Sequence, residues 1–295
     1  MDFLLQVLIS GIMIGAIYSL LALGIVLILK SSGVFNLAVG EFVAFGCYIG
    51  WAFAVQLGVP FPLMFAGLFV VAALLALGIE RGFMRPLIGQ PVLSAIMITI
   101  ALMQILAGII VLVWPGTNRV YPPLLPSGTF AFWGVTVSQE NLLIFLVCMG
   151  AFALFVVFFQ YTRIGLVMRA VSEDQQLAQS QGIKVTSIIS IAWFIAIAVA
   201  FIGGLFLGFR HGVNGPGLAA LGLKSFPAVI VGGMESIPGA LIGGMLVGIS
   251  ETFGVGYVDK YVRGGMAEVM PFIVLLLVLI IRPYGLFGYK KIERV

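Results

Sequence analysis

Few residues in this 295-residue chain could do chemistry, and most of those lie inside apolar runs. Glu41 sits in Phe35-Asn36-Leu37-Ala38-Val39-Gly40-Glu41-Phe42, and Glu235 in Gly232-Gly233-Met234-Glu235-Ser236-Ile237-Pro238-Gly239. Glu251 and Thr252 end the apolar stretch that follows, and Gln104 is the main polar group of Val92–Val113. A charge at the centre of a bilayer costs about 2.5–3.5 kcal/mol on the most lenient scale, so such groups face protein or a water-filled path. Two accounts fit Asn36 and Glu41. They cap and anchor a helix start at the membrane interface, or they line a solute path, with Gly40 admitting a close backbone. Two accounts also fit Glu235: it satisfies amides freed by two half-helix ends, or it meets solute, as broken helices do in transporters. Glu251 fits an interhelical anchor at the outer interface. His211, the only histidine, lies in a hydrophilic loop and supports no proton relay.

Composition says what must position these groups. With 62% hydrophobic and 9% charged residues and a mean hydropathy of +1.21, the chain lies outside the range of soluble domains. A spanning helix needs roughly 20 apolar residues. Leu4–Leu29, Leu37–Leu57, Leu63–Ile79, Val92–Val113, Leu142–Phe159, Ile188–Phe209 and Ala267–Ile281 supply seven candidates. Phe226–Phe253 is interrupted by the octet around Glu235, where Pro238 and three glycines oppose continuous helix. The expected fold is therefore an all-α polytopic membrane protein. It has about seven full spans plus one re-entrant pair of half-helices, about eight transmembrane helices, in a single domain over residues 1–295.

Charge placement orients it. With Phe226–Phe253 returning to the side it left, one side holds five Lys/Arg and the other ten, including Arg163, Arg169, Lys184, Arg282, Lys290, Lys291 and Arg294. A full crossing leaves eight against seven. The positive-inside rule prefers the first, placing residues 162–186 and the C-terminal tail in the cytoplasm. The pairs Gly11/Gly15, Gly204/Gly208, Gly239/Gly243 and Gly244/Gly248 have the spacing that brings helix backbones together in lipid. The aromatic loop Trp114–Trp133 reads as an interfacial collar on the outer face. Cys47 and Cys148 lie inside apolar runs, which disfavours a disulfide or a metal site. A cleavable signal peptide is not expected, since Asp2 stands where a basic region belongs. A net charge of +4, dispersed, gives no footprint for nucleic acid.

The polar loop between the fifth and sixth spans is the most specific local feature. Ser172 followed by Gln175 has the spacing of a capping box, Glu173 and Asp174 suit a first helical turn, and Gly182 suits a C-terminal stop. The spacing predicts one helix, Glu173–Gln181, of about nine residues and roughly 13 Å. A helix so short needs a protein surface to rest on, either its own chain or a partner.

Four stretches, in order along nearly the whole chain, resemble the LivH-type permeases of branched-chain amino acid ABC importers. Asn36-Leu37-Ala38-Val39-Gly40-Glu41-Phe42 is similar to their N-F-A-x-G-E-[FL] signature, and Gly165–Gly182 to their cytoplasmic coupling segment. Val231–Ala240 is similar to their V-x-G-G-x-x-S-x-x-G-A element, and Arg282-Pro283-Tyr284-Gly285-Leu286-Phe287-Gly288 to their R-P-x-G-L-F-G ending. The resemblance implies an inner-membrane permease paired with a second permease, two cytoplasmic ATPases and an external solute-binding protein. It implies that Asn36, Gly40, Glu41, Gly232, Gly233, Glu235 and Ser236 line the translocation path. It also implies that a coupling helix with Arg169, Ser172, Glu173, Asp174, Leu177, Ala178 and Gly182 docks an ATPase. The sequence departs from the family in Leu37, where Phe is common, and Val39, where His or Gln is common. A solute-facing Val39 implies a less polar or different cargo; importers of urea, amides and aromatic acids share this permease type.

Other classes fit less well. The chain has no G-x-x-x-x-G-K-[ST], so ATP use would fall to a partner. A secondary transporter or channel would be expected to carry more buried carboxylates or a proton-relay pair. An intramembrane enzyme would need paired carboxylates, His/Glu metal spacing or a G-x-S-x-G elbow, all missing from the sequence. No cofactor or metal is expected.

Overall fold

The structure, a computed structural model, describes residues 2–87, 90–116, 118–132, 135–262 and 264–288. Of the residues singled out above, Trp133, Lys290, Lys291 and Arg294 lie outside the described residues. The helices are α1 (Asp2–Ser32), α2 (Val39–Trp51), α3 (Phe61–Ile79), α4 (Val92–Val113), α5 (Gln139–Tyr161), α6 (Arg163–Glu173), α7 (Gln175–Ser180), α8 (Val185–His211), α9 (Gly215–Leu223), α10 (Ser225–Gly232), α11 (Ile237–Phe253), α12 (Asp259–Val262) and α13 (Met266–Ile281). Wider π turns prolong α2, α3 and α11. Among the described residues, eight helical stretches are long and apolar enough to cross a membrane, two of them Gly215–Gly232 and Ile237–Val262; Met266–Ile281 is a shorter apolar helix. The chain is thus an all-α polytopic membrane protein.

The contacts group into two compact units. The first comprises residues 1–26, 125–151 and 224–295. Here α1 packs antiparallel to α11 along a seam of glycines. A Cβ on Gly15 would lie 2.6 Å from the Met245 Cα, and one on Gly248 would lie 2.5 Å from the Gly15 Cα. Gly11 meets Ile249 and Gly244 meets Ser19 in the same way. Such approach is the means by which helices associate where lipid is as apolar as their side chains. The strands β1 (Thr129–Phe132) and β2 (Val135–Ser138) form an antiparallel hairpin that the apolar periodicity does not announce. The Gln6 amide clasps it, donating to Thr136 O at 2.8 Å and accepting from Thr136 N at 2.9 Å.

The interrupted segment is a hairpin in this same unit. Gly232 lies against Gly239, and Gly243 against the Ala228 carbonyl, so α10 and α11 run antiparallel. The chain breaks and turns back at the octet, as the sequence predicts. Its turn abuts the residues that follow α13: Leu286 N donates to Val231 O at 2.8 Å and Phe287 N to Gly232 O at 3.0 Å. The α10 leg is eight residues long and the α11 leg seventeen.

The second unit comprises residues 27–124 and 152–223. Its centre is α8, crossed by α2 and flanked by α3. Gly204 and Gly208 admit Val43 and Cys47 of α2, Gly46 admits Phe201, and Gly40 admits the backbone of α9 at Ala219. All four glycine pairs picked from spacing therefore lie at close helix contacts. Much of α3 and α4 presents apolar side chains outward, including Leu74, Leu93 and Leu112. One end of this unit is closed by the loop after α4. There Tyr121 donates to Cys47 O at 2.6 Å, and the Arg119 guanidinium stacks over Trp51 at 4.5 Å.

Candidate functional site

The polar loop folds as two helices instead of one. α6 is capped by Thr162, whose Oγ1 accepts from Gly165 N at 3.0 Å. It runs through Ser172 and ends at Glu173. Ser172 is therefore no cap: its hydroxyl donates back to Arg169 O at 2.8 Å, inside α6. The cap of α7 is Asp174, whose Oδ1 accepts from Gln176 N at 2.8 Å and Leu177 N at 2.9 Å. The capping-box reading of Ser172 and Gln175 is corrected because a carboxylate one residue before Gln175 competes for the same amides and accepts two of them. The stop at Gly182 stands. It adopts φ +82°, with Gly182 N bonding Gln179 O at 2.9 Å and Ile183 N bonding Ala178 O at 3.1 Å, a Schellman pair.

This element has two faces. Gly165, Met168, Val171 and Ala178 are buried, toward α8. Leu166 in α6 and Leu177 in α7 are each 60% exposed, and Glu173 and Asp174 between the two helices are exposed as well. Each leucine leaves apolar surface facing outward. Asp174→Ala is expected to cost α7 about 1 kcal/mol through loss of its cap. Amide exchange of residues 176–178, measured in detergent, should quicken against wild type; unchanged exchange would sink the assignment of this cap.

At the start of α2, Asn36 is 2% exposed, and its Oδ1 accepts from Ala38 N at 3.0 Å. Leu37 N donates to Thr99 Oγ1 of α4 at 3.4 Å. Asn36 thus braces the turn ahead of α2, whose own N-cap is Ala38 with no side-chain cap bond. Gly40 lies on α9, and Glu41, one residue on, is half-buried. Nearby in α8, the indole N–H of Trp193 is the buried side-chain polar atom without a partner among the described residues; its ring meets Phe42 edge-on at 6.5 Å.

In the first unit, Gly232, Gly233, Glu235 and Ser236 form the turn of the α10–α11 hairpin. Gly233 takes φ +107°, and a Cβ there would lie 2.6 Å from Gly288 N, so this position needs glycine on both counts. Ser236 caps α11, its hydroxyl accepting from Gly239 N at 3.0 Å. The half-buried Glu235 therefore does not supply that cap.

The strongest charge cluster of the first unit lies elsewhere. Lys224 Nζ bonds Glu251 Oε1 at 2.9 Å, with side chains only 8% and 10% exposed. Tyr18 of α1 donates to Glu251 Oε2 at 2.7 Å. One carboxylate thus ties α1, the start of α10 and the late turns of α11. Its two oxygens are each matched by a donor, which is what a buried ion in an apolar surround requires.

The sequence pattern of the family described as branched-chain amino acid transport system, permease component, matches residues 7–279. The chain belongs to that family. It is 33% identical to BraD, the high-affinity branched-chain amino acid transport system permease protein of Pseudomonas aeruginosa, over 99% of this chain and 98% of that one. It is 29% identical to LivH of Escherichia coli K12 over the same shares of each chain. It is also 29% identical to a probable LivH of Methanocaldococcus jannaschii, over 93% of this chain and 90% of that one. Among solved structures, PsaBC from Streptococcus pneumoniae in complex with Fab matches with a TM-score of 0.54 at 17% identity, covering 97% of this chain and 94% of that chain. That likeness is one of fold.

In this permease the residues singled out from sequence fall into three places: the start of α2, the hairpin turn, and the α6–α7 element. Lys224 escaped the sequence reading because its position after a Pro/Gly loop placed it with the outer charges. The signal was present as two lone opposite charges, Lys224 and Glu251, in adjoining apolar stretches, each needing a partner.

Proposed function

We propose that this permease is the membrane subunit of an ABC importer that moves branched-chain or related amino acids across the bacterial inner membrane. An external binding protein delivers the solute, a second permease completes the pore, and two cytoplasmic ATPases drive it. The observation that carries this reading is the family match over almost the whole chain, joined to an α6–α7 element whose outer face is apolar and acidic. The substrate class comes from relatives that bear it in their names. Sidedness follows the charge bias: residues 162–186, the α10–α11 turn and the segment after α13 face the cytoplasm. Leu166 and Leu177 are the apolar contacts offered to the ATPase, with Glu173 and Asp174 at their rim. Arg169, Ala178 and Gly182 hold the element in shape.

Glu41 is the pathway group at the start of α2, with Asn36 and Gly40 fixing its helix. At the hairpin turn, Glu235 is the second polar station, framed by Gly232, Gly233 and Ser236. Purification with the proposed ATPases, followed by uptake into vesicles with the binding protein and labelled leucine, tests the whole. ATP-dependent leucine uptake is expected; uptake that persists without ATP hydrolysis would make the chain a secondary transporter. Glu41→Gln is expected to lower uptake by about tenfold with assembly intact, a loss of roughly 1.4 kcal/mol in the transport step. Wild-type uptake by that variant would leave Glu41 a structural anchor.

A further inference from the structure

We propose that Gln175 and Arg169 are the positioning residues that pass motion of the α6–α7 element to the membrane helices, each by holding the open carbonyl end of one span. The inference rests on the reading of α6–α7 as the ATPase contact and adds the route by which that contact is felt. The last carbonyls of any helix lack intrahelical partners and must find donors elsewhere. At the end of α1, Ser31 O accepts from Gln175 Nε2 at 3.0 Å, across 144 residues of chain. At the end of α5, Arg169 Nη1 donates to Phe159 O and to Gln160 O, the latter at 3.2 Å, and its guanidinium lies over the Phe159 ring at 5.6 Å.

These two side chains sit on consecutive helices of one compact element and reach two different spans. The geometry makes the element a yoke. Ser31 itself is buried, and its carbonyl lies five residues before Asn36, whose side chain braces the turn ahead of α2. Leu37 in turn bonds Thr99 of α4. A displacement of α7 is therefore delivered to the end of α1 and the start of α2, where Glu41 stands. Packing of Met168, Val171 and Ala178 holds the element in place, but it is non-directional. The two donors are what fix it to particular helix ends.

The test uses the full complex in vesicles and reads leucine taken up per ATP hydrolysed. Gln175→Glu is nearly isosteric and half-exposed, yet removes the donor and sets a carboxylate against a carbonyl. The expected result is normal co-purification of the ATPases, ATP hydrolysis at the wild-type rate, and uptake per ATP lower by about tenfold, a coupling loss of ordinary size. Gln175→Arg, which restores a donor, is expected to recover most of the ratio. Wild-type uptake per ATP in Gln175→Glu overturns the inference. Parallel loss of uptake, hydrolysis and ATPase association also overturns it, because Gln175 would then be merely structural. If wild-type permease retains no ATPase at all, the docking reading fails instead, and that outcome is distinguished by the unmutated control.

Discussion

A permease carrying Glu251→Leu is expected to lose about 3–5 kcal/mol of stability, because it strands a buried ammonium with no counter-charge. Lys224 is 6% exposed and Tyr18 1% exposed, so water cannot easily replace the lost oxygens. The loss should appear as a sharply lowered unfolding midpoint in mild detergent, with little protein surviving purification. The pair itself is not expected to be a large net source of stability, since desolvating two charges offsets most of their attraction. It follows that Lys224→Met together with Glu251→Leu should recover most of what the single change loses. The double variant would show whether the charges matter beyond stability: restored folding with uptake still absent would place the pair in the transport cycle. A single Glu251→Leu variant with the wild-type midpoint would refute the expected penalty.

Gly248→Leu is expected to be at least as damaging, by a different route. The first added carbon would collide with the Gly11 carbonyl and lie 2.5 Å from the Gly15 Cα. Both are backbone, so no side-chain rotation relieves the clash. Overpacking a well-filled core costs about 1–3 kcal/mol where side chains can shift; here α1 and α11 must separate. The seam also holds Gly244 against Ser19, whose hydroxyl donates to Leu241 O at 2.8 Å, so a wedge at one point loosens its neighbours. The expected result is loss of membrane-embedded protein. Gly108→Ala supplies the contrast, since nothing lies within 4 Å of a Cβ there, and it should be neutral or gain about 0.5–1 kcal/mol of helix propensity. Equal tolerance of both changes would show that the seam is not a close contact.

These two cases mark how far the sequence could be read. Apolar length set the helices, and the four glycine pairs picked by spacing all lie at close helix contacts, because close approach of backbones has almost no other solution in lipid; the α2–α9 contact at Gly40 and Gly222 carries no such spacing. The break near Pro238 was legible for the same reason: proline and paired glycines admit little helix. Depth was not legible, since nothing in the octet says that the segment after α13 will meet its turn. The loop at 162–186 was legible as capped helix, but it forms two helices, because Asp174 won the contest with Ser172 by accepting two amides of the next turn. The bonds that Arg169 and Gln175 make were beyond reach, because their acceptors are main-chain carbonyls, which every residue carries. Lys224 and Glu251 could have been paired on charge alone. Their meeting needed the hairpin geometry that the octet left undecided.

The docking of residues 285–288 on the α10–α11 turn bears on how the protein is made. The carbonyls of Val231 and Gly232 find their donors in the chain that follows α13, so the hairpin enters the bilayer with its lower end unfinished. Its partner α1 precedes it in the chain, with its glycine face uncovered until α11 arrives. The first unit therefore closes only after residues 286–287, which follow α13, have been made. Fragments that stop before residue 286 should be recognised by membrane proteases as incomplete, even with α13 in place.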